Sequence, residues 1–393
     1  MPQSMRGSIL RKQVSNVLLL LLLTASASAF AAESKYLVFV GTYTGKGSQG
    51  IYSYRFDPAT GSAMPEGLAA ESPNPSFLVA DPAGRFLYAA NEVNDFNGKP
   101  GGGVSAYAID RGTGKLTQLN QVSSMGAGPA HISLDQTGHY VLVANYDAGS
   151  VAAFPVLRDG KLGQNSAFQQ QVGSSANKER QEGPHAHSIV ASQDDRFVLA
   201  ADLGADKVFV YRFDAKNGSL SPNVPGFVSL PPGSGPRHLT FGNSGKFLYL
   251  ANELNGTVTV FAFDSKSGVL SAKQTVSALP RNFHGENTEA EIVVDPSGKF
   301  LYVSNRGDKT NNITVFSINA ADGTLAFVQR VPSGGKTPRN FAIDPAGHWL
   351  LAANQDSNNI QVFRVDEKTG GLTPTSQISG IVSPVCVIFV AAK

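Results

Sequence analysis

Apolar positions along this chain come in short runs bounded by Gly, Pro, Asn and Asp, without the spacing of an amphipathic helix. The run Phe86-Leu-Tyr-Ala-Ala-Asn91 recurs as Tyr140-Val-Leu-Val-Ala-Asn145, Phe197-Val-Leu-Ala-Ala-Asp202, Phe247-Leu-Tyr-Leu-Ala-Asn252, Phe300-Leu-Tyr-Val-Ser-Asn305 and Trp349-Leu-Leu-Ala-Ala-Asn354. Tyr36-Leu-Val-Phe-Val-Gly-Thr42 is a divergent seventh copy. The closing positions 42, 91, 145, 202, 252, 305 and 354 are spaced 49, 54, 57, 50, 53 and 49 apart. A period of roughly 50 residues made only of strands and turns predicts a β-propeller. The fold class is therefore all-β, with seven blades.

Each repeat carries the same parts. A first strand begins near a Pro, as in Pro75-Ser-Phe-Leu-Val-Ala and Pro236-Arg-His-Leu-Thr-Phe. Asp-Pro-Ala-Gly or Asp-Pro-Ser-Gly then suits a type I turn. The Asn-terminated strand follows, and two further strands complete the blade. A seventh first strand exists only if Pro384-Val-Cys-Val-Ile-Phe-Val390 at the C-terminus is counted, while the Tyr36 strand has no first strand of its own. The two chain ends are thus expected to complete one blade, closing the ring and removing exposed edges.

The first residues have a different character. Arg6, Arg11 and Lys12 precede a short apolar run, Val17 to Leu23, and then Ala27-Ser-Ala29 and Ala29-Phe-Ala31. Basic residues, a run too short to span a bilayer and small residues at a cut site read as a secretory signal peptide. Residues 1–31 are assigned to it and 32–393 to one propeller domain, with a periplasmic or secreted destination. The 32 basic and 30 acidic residues of the whole chain become 29 and 30 once Arg6, Arg11 and Lys12 are removed. A near-neutral mature chain gives no electrostatic reason to bind nucleic acid, or a membrane after cleavage. Cys386 is the only cysteine, which rules out an intramolecular disulfide. A monomer is expected.

Candidate chemistry follows from the topology. In a propeller the first strands line the channel, so side chains from different blades converge at its mouth. Aligned on the closing residues, one first-strand column reads Ser76, Ala130, His187, Arg237, Ala290, Arg339 and Val385, and the next reads Phe77, His131, Ser188, His238, Glu291, Asn340 and Cys386. The column after that is apolar in every blade, from Leu78 to Val387. The repeats act as an internal control: where the fold accepts Ser, Ala or Phe, some blades carry His, Arg or Glu. His131 and His238 share a column with Phe77, so packing explains them as well as function does. Glu289 and Glu291 fall on one strand face by period two, where paired carboxylates raise one pKa. Glu291 as an ion-pair partner of Arg237 or Arg339 is the plainer reading. His185-Ala-His187 lacks a third ligand at legible spacing, so no metal and no other cofactor is assigned. Residues just after the closing positions (Glu92, Tyr146, Glu253, Arg306) differ between blades and suit the rim. The stretch from Gln169 to Gly183 reads as a loop on the channel face. Lys99-Pro-Gly-Gly-Gly103 reads as a flexible loop, since no helix or P-loop Lys-Ser/Thr follows it.

The segments Gly183-Pro-His-Ala-His-Ser188, Gly235-Pro-Arg-His-Leu239, Ala251-Asn-Glu-Leu-Asn255, Glu289-Ala-Glu-Ile292 and Thr337-Pro-Arg-Asn-Phe341 resemble the seven-bladed lactonase family, whose type member is the propeller form of 6-phosphogluconolactonase. The resemblance implies metal-independent hydrolysis of a small sugar lactone. For such a reaction Glu291 or His187 would be the base, Arg237 and Arg339 oxyanion donors and His238 or His131 a proton donor. His131, His185, Glu289, Arg339 and Asn340 would bind substrate. Export makes an unphosphorylated gluconolactone a natural candidate beside the 6-phosphate. A muconate-type lactonising cyclase and a non-catalytic binding propeller are the alternatives.

Overall fold

The computed structural model describes residues 36–45 and 47–393; the expected signal segment, 1–31, lies outside them. The described residues form one compact unit. It is built from seven four-stranded antiparallel sheets. In chain order these are blade 1 (75–123), blade 2 (129–170), blade 3 (186–229), blade 4 (236–277), blade 5 (288–332) and blade 6 (338–379). Blade 7 takes its inner strand, Pro384–Ala391, from the C-terminus and its other three, Tyr36–Thr42, Gly50–Asp57 and Ser62–Glu71, from the N-terminal side. Tyr36 pairs with Ala391 and Val40 with Val387, so the ring closes as the repeat count required. A small hairpin, Asp95–Phe96 with Lys99–Pro100, branches from blade 1 and takes in the first two residues of the stretch read as a flexible loop, Lys99 to Gly103.

The apolar runs become second strands because both faces of each blade are covered. Tyr140–Asn145, Phe197–Asp202 and Trp349–Asn354 are buried throughout their length. Apolar side chains fill seven separate clusters, one at each blade-to-blade junction. The burial needed for stability is thus divided among small, similar cores.

The turns work through their aspartates. Gly84 N–H donates to Asp81 O at 2.8 Å, as a type I turn requires. The side chain then binds the start of the next strand: Asp295 Oδ1 accepts from Lys299 and Phe300, and Asp344 Oδ1 from His348 and Trp349. Three of the closing asparagines reach beyond their own turn, while Asn252 and Asn305 donate to side chains of the next strand. Asn91 donates to Pro73 O, Asn145 to Ser124 O and Asn354 to Ser333 O. Each grips the segment that connects the preceding blade to its own.

Candidate active site

The seven first strands share an irregularity that builds the site. Register slips by one residue at Ser76, Ala130, His187, Arg339 and Val385, the first of the two polar columns. In blades 4 and 5 two consecutive residues drop out of the pairing, Arg237 with His238 and Ala290 with Glu291. A bulge breaks the strand alternation, so neighbouring residues need not point to opposite faces. The channel can then receive both columns, one above the other.

The upper column opens on a cavity of ≈ 350 Å³ lined by Tyr43, Glu92, Ala130, Tyr146, Arg180, His187, Glu253, Thr288, Arg306 and Arg339. Tyr43, Glu92, Tyr146, Glu253 and Arg306 each follow a closing position, as the rim reading anticipated for all of them but Tyr43. Arg180 comes from the loop between blades 2 and 3. It donates to Glu253 Oε1 at 2.7 Å and to the Tyr146 hydroxyl at 3.2 Å. That loop can seat itself because position 204 is glycine: a Cβ there would lie 1.8 Å from Gly183 O.

Glu253 is the electrostatic centre. Its Oε2 takes Arg237 Nε at 2.9 Å and meets an Arg306 nitrogen at 3.1 Å, while Arg180 holds Oε1. Burial alone would raise this carboxyl, but Arg306, Arg237 and Arg180 outweigh it and bring it down to about 2. Arg237, only 1 % exposed, also donates to Ala290 O at 2.7 Å. It keeps its proton at neutral pH, although burial and the neighbouring Arg306 bring it down to about 9. Arg339 is the least engaged guanidinium. It lies over the Tyr43 ring and 3.7 Å from Glu92 Oε2, which also accepts the Tyr43 hydroxyl at 2.8 Å.

His187 stands where the cavity meets the channel. Its ring lies edge-on to Tyr146 at 5.1 Å and to His238 at 5.2 Å, and its Nε2 is 4.0 Å from Glu253 Oε2. Burial first, and then Arg237, His238 and Arg339, hold its pKa well below the usual imidazole range. It is a neutral imidazole beside a fixed carboxylate.

A second layer lies beneath. His238 Nδ1 is 3.1 Å from Glu291 Oε1, and Asn340 Nδ2 donates to Glu291 Oε2. Asn340 is itself oriented by Val387, whose N–H donates to Oδ1 at 2.8 Å. His131 lies tilted against Phe77 at 4.3 Å and meets the edge of His238 at 5.2 Å.

Of the residues singled out in the sequence, His187 and Arg339 line the cavity and Arg237 sits behind its carboxylate. His131, His238, Glu291 and Asn340 belong to the lower layer. The ion pair suggested for Glu291 goes to Glu253 instead: that is the carboxylate Arg237 holds. Glu289 and Glu291 do not form a carboxylate pair. The bulge between them sends Glu289 to the Asn252 N–H at 3.1 Å and Glu291 to His238 and Asn340. Burial, and then Glu253, push Glu289 well above the usual range once the pull of that N–H is overcome. His185 and His187 also diverge. His185 stacks on Tyr146 at 4.6 Å, with its nitrogens 3.0 Å from Tyr146 O and from Glu182. Arg180 and Tyr43 were missed as site residues; Tyr43 could have been found, because it follows the closing Thr42.

Comparison with known proteins adds a family. The sequence profile described as "Lactonase, 7-bladed beta-propeller" matches residues 37–389. A protein from Bacillus subtilis (strain 168) named 6-phosphogluconolactonase is 37% identical over 356 residues, which is 91% of this chain and 99% of the relative. The solved structure of a periplasmic gluconolactonase from Pseudomonas aeruginosa has a TM-score of 0.85 and 39% identity, covering 91% of this chain and 99% of that one. A putative 6-phosphogluconolactonase structure from Bacteroides fragilis gives a TM-score of 0.84 at 38% identity, covering 92% and 99%.

Proposed function

The chain belongs to the seven-bladed β-propeller lactonase family, a group of lactone-hydrolysing enzymes, and on that footing we propose that it opens an unphosphorylated aldonolactone of the gluconolactone type to the free acid at the channel mouth. One observation carries this reading: a neutral imidazole, His187, shares a cavity wall with guanidinium groups and with a carboxylate, Glu253, that they hold ionised. Glu253, held at about 2, is too weak a base at neutral pH. Glu289 and Glu291 are buried outside the cavity. Glu92 is occupied by Tyr43 and Arg339.

Water attacks the lactone carbonyl and gives a proton to His187 Nε2 as the C–O bond forms. The carbonyl oxygen becomes an oxyanion, facing Arg339; a well-placed donor contributes on the order of 3 kcal/mol to such a transition state. Collapse breaks the bond to the ring oxygen, which takes the proton back from His187. Glu253 stabilises the transient imidazolium across 4.0 Å. The products are the open acid and an unchanged enzyme.

The engagement of the arginines argues for a neutral sugar over its phosphate. Arg180, Arg237 and Arg306 are already committed to Glu253, which leaves Arg339 with spare donors, whereas a phosphate dianion calls for several. The cavity falls at the small end of ligand sites, about 300 to 1,000 Å³. The N-terminal segment, read as an export signal, supports a periplasmic or secreted setting; N-terminal sequencing of the mature protein should begin at Ala32. Acid release from glucono-1,5-lactone and from its 6-phosphate distinguishes the substrates. A kcat/KM at least about tenfold higher for the neutral lactone is expected; preference for the phosphate would reverse this assignment, and hydrolysis of neither would remove it.

A further inference from the structure

We propose that Glu291 and His238 form a positioning dyad that holds His187 from beneath, an assignment that rests on reading His187 as the base. The repeats provide the first support. In five blades the ladder skips one residue, but in blades 4 and 5 it skips two, and the extra residues are His238 and Glu291. The freed Glu291 N–H is taken by the Ser304 hydroxyl at 3.0 Å. The corresponding residue in the other Asn/Asp-closed blades is alanine: Ala90, Ala144, Ala201, Ala251 and Ala353. The ladder is thus opened here, and a hydroxyl absent from those other blades satisfies the donor it leaves. Bulges of this kind re-aim side chains beside active sites.

The hydrogen bonds give the dyad a direction. Val387 fixes Asn340 so that its Nδ2 faces Glu291 Oε2, and Ile292 N–H donates to Glu291 Oε1 at 3.1 Å. A carboxyl group receiving these donors meets His238 Nδ1 best as a carboxylate, which makes Nδ1 the protonated nitrogen of His238. His238 Nε2 then carries the lone pair. That nitrogen is buried without a partner, and so is Nδ1 of His187, whose ring stands edge-on at 5.2 Å. The other nitrogen of His187, Nε2, is the one 4.0 Å from Glu253 Oε2 in the cavity wall, which leaves the edge-on ring contact with His238 as the link between the two layers. Around His187 stand Arg237, Arg339, Glu253, Tyr146 and His238; around His238 stand Arg237, Arg339, Arg306, Glu253, Glu291 and His131. Glu291 is the one carboxylate that reaches this set from below.

The test is the pH dependence of kcat/KM for glucono-1,5-lactone in wild type, Glu291→Gln and Glu291→Asp. Loss of the carboxylate should lower kcat about tenfold or more, leave KM within about twofold and move the acidic limb to lower pH, with partial recovery in the aspartate variant. A Glu291→Gln profile superimposable on wild type overturns the proposal. Histidine side-chain 15N NMR decides it independently of activity and, in wild type, of any variant's folding. His238 should be the Nδ1–H tautomer, and the His187 signals should shift in Glu291→Gln; an Nε2–H His238 or unmoved His187 signals overturn it. If His187→Asn keeps wild-type rates, the base reading fails, while the NMR outcome still judges the dyad.

Discussion

Glu253 binds three guanidinium groups from three separate segments, and removing its charge should unsettle all of them. Glu253→Gln leaves Arg237 buried without its carboxylate, for which broken buried pairs give a cost on the order of 3–5 kcal/mol; chemical denaturation would register it, and a loss below about 1 kcal/mol would contradict the ion-pair assignment. The histidines carry a pH signature. Burial, then His238, hold His131 well below its usual value of 6.5. Below that pH the unfolded chain takes up a proton that the native site refuses, so this residue costs stability as pH falls and nothing above pH 6.5. His131→Phe, which copies Phe77 of the same column, should narrow the gap in unfolding free energy between pH 7.5 and 5.5 by about 1 kcal/mol. An unchanged gap would show that His131 titrates freely in the native state. The repeats made His187 and Arg237 conspicuous in the sequence because other blades carry Ser or Ala there. They could not reveal depth. Whether a residue faces the mouth or the layer below depends on bulges that leave no compositional mark.

At the level of elements, the strands were legible because the same pattern recurs in seven repeats, and the closing asparagines because five of those repeats share one. The stretch read as a loop from Gln169 to Gly183 was legible only as a loop, and its first two residues end the last strand of blade 2: with no counterpart in other blades, nothing in the sequence singled out Arg180. Its placement depends on contact between Gly204 and Gly183. Gly204→Ala should lift the loop, withdraw Arg180 from Glu253 and lower kcat/KM about tenfold, while the thermal midpoint falls only modestly, because the seven cores are untouched. Full activity in this variant would show that Arg180 is dispensable.

The whole molecule is a ring held by seven equivalent junctions and one seam, where the C-terminal strand completes a blade begun at the N-terminal side. Removing residues 384–393 exposes two apolar blade faces and the edge of the Tyr36–Thr42 strand, so the truncated chain should lose cooperative unfolding and aggregate; a soluble monomer of unchanged stability would contradict the closure. The same closure brings Tyr43 beside Arg339 and lets residues far apart in sequence share one cavity. The most direct test of the catalytic reading is kcat for glucono-1,5-lactone at saturating substrate, wild type against His187→Asn, with the thermal midpoints matched. A fall of about 100-fold or more is expected if this imidazole moves the proton; an unchanged kcat in the folded variant would contradict it.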